Sequence, residues 1–191
     1  GIQYVTDPFI VNYVNAVADN VIRFGRQDRP DVQWRVHVIN DPKQVNAFAT
    51  PGGYLYVYTG LLAAAENEAE LAGVMAHETA HVVARHSARR LVNAYGLQAV
   101  VALAAGKNPG LLAQIVAGVA AQGYLLANSR DDETEADEIG ARYAAAATYD
   151  PRGLVTFFGK LEAKQGKTPA FLKYLSTHPS PGDRVAHVNA Y

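Results

Sequence analysis

Residues 67–87 read Asn67-Glu68-Ala69-Glu70-Leu71-Ala72-Gly73-Val74-Met75-Ala76-His77-Glu78-Thr79-Ala80-His81-Val82-Val83-Ala84-Arg85-His86-Ser87, and this stretch decides the fold. Leu71, Val74 and Met75 recur at helical spacing, so one helix is expected from Asn67 to about Ser87. At 100° per residue, His77 and His81 stand only about 40° apart around the axis and one turn apart along it. Two imidazoles on one helix face can share a metal ion, while Glu78 can reach a water held there without being aimed at the ion. With 6 His and 8 Glu in 191 residues, about 0.008 matches to H-E-x-x-H are expected by chance.

Working outward, the elements sort into few strands and many helices. Val32–Ile39 and Ala47–Thr59 read as strands. In the second, Tyr54, Tyr56 and Tyr58 alternate with Leu55, Val57 and Thr59, and Pro51-Gly52-Gly53 supplies a turn. Asp7-Pro8, Asp150-Pro151, Thr168-Pro169 and Ser180-Pro181 each set a capping side chain before a proline, four helix starts of one type. The first opens a helix through Val21 with Ile10, Val14, Val17 and Val21 on one face. Ser129, with Asp132 three residues on, resembles a capping box for a later helix. Strands bunched early and helices thereafter make an α+β arrangement. At this length one domain, 1–191, is expected.

Composition narrows the function. Lys+Arg minus Asp+Glu is 17 − 18 = −1, which argues against a nucleic-acid backbone binder. The absence of cysteine removes thiolate metal sites, disulfides and cysteine nucleophiles together. The apolar, Ala-rich region from Leu91 to Asn128 invites a membrane span. Gln114, Gly118, Gln122 and Gly123 dilute it, so buried globular helices are the expected reading. The chain opens on Gly1, so a leader or lipid anchor would lie upstream.

A third ligand is needed. The longer H-E-x-x-H-x-x-G-x-x-H pattern fails at Ala84 and Ser87. His86 follows His77 by nine residues, 900° of helix, and is read as a solvated histidine on the opposite face. The acidic segment Arg130–Asp137 remains. Glu133 and Asp137 have i, i+4 spacing, so one can bind metal while the other supports it. Glu133 and Glu135 lie 200° apart, so only one of them can face the ion, and geometry leaves that choice open.

Taken in order, Asn46-Ala47-Phe48-Ala49, Pro51-Gly52-Gly53, Thr59-Gly60-Leu61-Leu62, His77–His81, Ser129-Arg130, Glu133-x-x-x-Asp137 with Ala136 and Gly140, and Thr177-His178-Pro179-Ser180-Pro181 with Arg184 resemble metallopeptidase family 48. This gluzincin family contains HtpX and the CAAX prenyl proteases. With no convincing membrane helices between its motifs, the chain is most similar to the soluble periplasmic members. The resemblance implies a zincin-like (minigluzincin) fold, a single Zn2+ held by His77, His81 and Glu133, and Asp137 and Arg184 supporting that site. It also implies an endopeptidase acting on unfolded or membrane-associated polypeptides in cell-envelope quality control, facing the periplasm, with a peripheral membrane contact. A client-binding protein with a latent zinc site is the competing reading.

Glu78 is then the general base. His178 and Tyr143 are the candidate donors to the oxyanion. His178 also competes for a second role, a fourth ligand that closes the site and leaves the enzyme latent, and the closed form is the one expected. Tyr54, Tyr56 and Tyr58 lie on the strand that resembles the family's edge strand, where an extended peptide would add.

Overall fold

The computed structural model describes residues 2–122, 128–163, 174, 177–179, 184 and 188. Its elements run α1 (Pro8–Asp28), β1 (Arg35–Ile39), β2 (Ala47–Thr50), β3 (Tyr54–Tyr58), α2 (Thr59–Ala64), α3 (Glu68–Val83), α4 (His86–Tyr95), α5 (Leu97–Ala104), α6 (Pro109–Gln122), α7 (Arg130–Ala146) and α8 (Gly153–Ala163). A small sheet and a mainly helical remainder make the mixed α+β fold expected of the sequence.

The single strand expected over 47–59 is a hairpin. Gly52 and Gly53 have φ of 92° and 83°, a left-handed conformation that glycine adopts at no steric cost. They turn the chain, so β2 pairs antiparallel with β3, Phe48 opposite Tyr56, while β1 pairs with β3 in parallel. The order is β1-β3-β2, which puts β3 in the centre.

The two faces of the sheet serve two cores. Ala47, Ala49, Leu55 and Val57 join Val14, Val17 and Val21 of α1 and Val74 and Met75 of α3 in the main core. Phe48, Tyr56 and Tyr58 project the other way, into a second core with Leu103 of α5 and Leu111, Ile115 and Val119 of α6. Here Leu91, Val100, Leu103, Leu111, Ile115, Val116 and Val119 of the apolar region are spent on packing. No single helix among the described residues is long and apolar enough to cross a membrane, and α5 with the first part of α6 qualifies only as a pair bent by 95°.

Helix starts follow the capping chemistry. Asp7 accepts from the Phe9 amide ahead of α1, which continues seven residues beyond Val21. Asn67 accepts from the Glu70 amide to open α3. Ser129 and Asp132 exchange both bonds of a capping box on α7. Asp150 accepts from the Arg152 amide just before α8. The starts expected at Thr168-Pro169 and Ser180-Pro181 lie outside the described residues.

Helix α3 does not run to Ser87. It ends at Val83, and Arg85 sits at φ 62°, ψ 26°, a left-handed conformation costly for a residue with a side chain. The phase of the helix is reset there. Beside α3 lies α7, and Gly140 is what lets them meet. A Cβ at Gly140 would stand 3.0 Å from the His77 amide nitrogen and 3.1 Å from its Cα. This close approach delivers the acidic first turn of α7 to the histidine face of α3.

Candidate metal centre and active site

Four side chains converge where α3, α7 and the 177–179 segment meet. His77 Nε2 lies 3.0 Å from His81 Nε2, 3.2 Å from Glu133 Oε2 and 3.3 Å from His178 Nδ1. His81 Nε2 is 3.2 Å from Glu133 Oε1, and His178 Nδ1 is 3.1 Å from the same oxygen. All four residues are buried, with ligand atoms mutually within 4.8 Å. A proton can bridge one pair of these imidazole nitrogens, but three such nitrogens and a carboxylate turned toward one point form the donor set of a cation. Four donors at 2.0–2.1 Å around a tetrahedral ion are roughly 3.3 Å apart, close to the spacings seen here. The residues present therefore fit a metal ion.

Supporting contacts orient these donors. His77 Nδ1 is 2.9 Å from Asp137 Oδ1, and the Asp137 carboxylate is met by Arg184 Nε at 2.8 Å. Arg184 also donates to Glu133 Oε2 at 3.2 Å, and its guanidinium lies 3.5 Å over the Phe158 ring centroid. One arginine thus ties the Glu133 carboxylate to Asp137, the partner of His77. Burial opposes charge on His77, but Glu133 and Asp137 outweigh it and hold the ring up at about 10. A metal entering the site must therefore displace a proton. Burial, reinforced by His77, keeps His81 well below the usual histidine range. Glu133 goes well below the usual carboxylate range: burial pushes it up, but His178 and His77 pull it down further.

Glu78 stands apart from the four. It is buried at 2% exposure, and His178 Nε2 approaches its Oε1 at 3.3 Å. The Tyr174 hydroxyl reaches the same oxygen at 3.5 Å, and Tyr174 stacks on His178 with centroids 4.5 Å apart. Burial raises the Glu78 carboxyl, with His178 and His77 opposing. The direction suits a proton acceptor that must later give the proton back.

Three expectations are corrected. His86 is not a solvated residue on the far face but 1% exposed, with Nδ1 2.8 Å from His81 Nδ1. The break at Arg85 invalidates the 900° count. Tyr143 is no oxyanion donor: its hydroxyl donates to Asp28 at the end of α1. Tyr54, Tyr56 and Tyr58 belong to a strand paired on both sides, and Tyr56 and Tyr58 are buried in the second core, so they form no peptide-binding edge. Among the described strands the edge beside the site is β2: Phe48 and Ala49 line the cleft with Glu78, His81, Asn128 and His178.

Sequence reasoning missed Asn128. Its Oδ1 is held by Arg90, itself bonded to Asp132, and its Nδ2 points at His81 Nε2 and His178 Nδ1, 3.2 and 3.4 Å away. Arg90 settles which end of the amide faces the cluster. The one available signal was position, directly before the Ser129 cap.

Two histidines a turn apart, a glutamate from a second helix and a buried glutamate beside them are the donors and base that a metallopeptidase centre requires. The chain belongs to peptidase family M48, whose model matches residues 11–191. It is 37% identical over 179 residues to the mitochondrial metalloendopeptidase OMA1 of Schizosaccharomyces pombe, covering 94% of this chain and 52% of that protein. It is 33% identical over 190 residues to a putative beta-barrel assembly-enhancing protease of Vibrio cholerae, covering 95% of this chain and 39% of the relative. The beta-barrel assembly-enhancing protease of Escherichia coli strain K12 is 31% identical over 193 residues, with the same coverage. The chain thus spans about half or less of these relatives' lengths.

Proposed function

We propose that this chain is the catalytic part of a zinc endopeptidase of zincin-like fold, in a closed state where His178 completes the ligand set. The carrying observation is the position of the His178 ring. Nδ1 sits among His77, His81 and Glu133 while Nε2 covers Glu78, so one side chain takes both the open ligand place and the base. The cleft beside it has a volume of about 10 Å³, at the lower limit for one water and far too small for a peptide.

Zinc, held by His77, His81 and Glu133, would supply Lewis acidity toward the scissile carbonyl and acidify water at neutral pH. The rest falls to the chain. With His178 withdrawn, Glu78 is freed to accept a proton from water and return it to the leaving amine. The Asn128 amide, fixed by Arg90, is placed to donate toward the oxygen that gains charge. An extended substrate would add to the outer side of β2, where the Ala49 carbonyl now accepts from the Ser87 hydroxyl at 3.1 Å.

The relatives' names favour cleavage over client binding alone, and two of them support a further proposal that clients include outer-membrane barrel precursors in a bacterial cell envelope. Digestion of unfolded casein by the zinc-loaded chain, with and without chelator, tests the proposed activity. Chelator-sensitive fragments are expected, and intact casein in both arms would overturn it.

A further inference from the structure

His77 and His81 are oriented by different kinds of neighbour. His77 has a carboxylate, Asp137, whereas the nearest acceptor to His81 Nδ1 is the imidazole of His86. We infer that His86 is the positioning residue for His81, joining this ligand to a surface carboxylate through a chain of two imidazoles. The inference rests on the metal-centre reading above.

The tautomers follow from the geometry. His81 turns Nε2 toward His77 and Glu133, so a cation there needs that nitrogen unprotonated, which puts the proton on Nδ1. Among the described residues, His86 Nδ1, at 2.8 Å, is the atom placed to accept it. His86 must then carry its own proton on Nε2, which lies 3.1 Å from Glu135 Oε2 and 3.4 Å from Asp132 Oδ1. Each partner is held in turn. Asp132 belongs to the Ser129 capping box and is paired with Arg90, while Glu135 is about half exposed. The His86 side chain is fully buried, and the left-handed Arg85 swings it back over the helix that carries His81. A strained residue persists only where its surroundings over-determine it, and here it places this ring. Glu135, an alternative metal ligand by composition, thus anchors the outer end of the relay.

The test compares two variants of similar length that differ in the acceptor. His86→Met removes it; His86→Gln keeps a carbonyl oxygen for His81 and an N–H for Glu135. Metal-stripped full chain is titrated with Zn2+ against a chromophoric chelator, and the cobalt(II) absorption of each loaded protein is recorded. His86→Met is expected to lose about 10- to 100-fold in zinc affinity and to change the cobalt band, while His86→Gln stays within a few-fold of wild type with the wild-type band. Glu135→Ala, at the surface where it leaves the fold intact, is expected to lose affinity by less than His86→Met. Wild-type affinity in His86→Met, equal losses in Met and Gln, or no loss in Glu135→Ala would overturn the relay. A wild-type chain that takes up no zinc would instead overturn the metal centre itself.

Discussion

The His178 ring bonds Glu133 through one nitrogen and faces Glu78 with the other, so its removal should expose both the ligand place and the base. His178→Ala is expected to raise basal casein cleavage several-fold, as a state blocked by its own side chain becomes populated without a trigger. A loss of about 10²–10³ in kcat would instead assign the ring to oxyanion stabilisation. At the ligands, His81→Ala and Glu133→Gln should lower zinc occupancy and thermal stability together, because ligand loss removes binding energy from the fold. Glu135→Gln should still fill its site at saturating zinc, because that side chain reaches His86 and not the cluster and can act on affinity only through the relay; metal analysis of the three proteins checks the assignment. The i, i+4 histidines and Glu78 were legible in the sequence because a regular helix fixes their relative direction. His86 was not, because its direction depends on one left-handed residue, Arg85, and an arginine carries no signal for that conformation. Asn128 was hidden for a related reason: its role comes from Arg90, a long-range partner.

Between elements, the fit of α7 against α3 decides whether Glu133 and Asp137 reach the histidines. Gly140→Ala would place a methyl 3.0–3.2 Å from the backbone of Ala76 and His77, which cannot yield as a flexible side chain would. It is expected to destabilise the chain by about 1–3 kcal/mol and to weaken zinc binding, measured by thermal unfolding and chelator competition. Tyr143, one turn further along α7, ties that helix to Asp28 of α1 instead of serving the site. Tyr143→Phe should therefore cost about 1–3 kcal/mol of stability and leave kcat/KM within about twofold, whereas a hundredfold fall would return it to the catalytic machinery. The hairpin shows what periodicity cannot supply. Alternation marked 47–59 as extended chain, but whether Pro51-Gly52-Gly53 begins one strand or joins two depends on pairing, which the local sequence does not encode. The family resemblance puts the edge at Tyr54, Tyr56 and Tyr58, whereas β1 and β2 both close on β3.

Across the whole molecule, two cores back the same centre: the main one carries α3 and α7, and the second brings α6 against the cleft through Val119. The α+β class was legible because capping pairs and apolar spacing are local, and the site because its motifs keep their order along the chain. Zinc binding to the folded chain alone should raise its stability by about 4 kcal/mol at free zinc a thousandfold above the dissociation constant, seen as a fall in Tm on adding chelator. The central claim, a zinc-dependent peptidase whose base is Glu78, is met most directly by titrating the metal-stripped chain with Zn2+ while following casein cleavage, beside Glu78→Gln. Cleavage should rise to a plateau at one zinc per chain in the wild type, while Glu78→Gln takes up the same single zinc and cleaves at least a hundredfold more slowly. Cleavage that ignores zinc, or that survives in Glu78→Gln above a tenth of wild type, would contradict it.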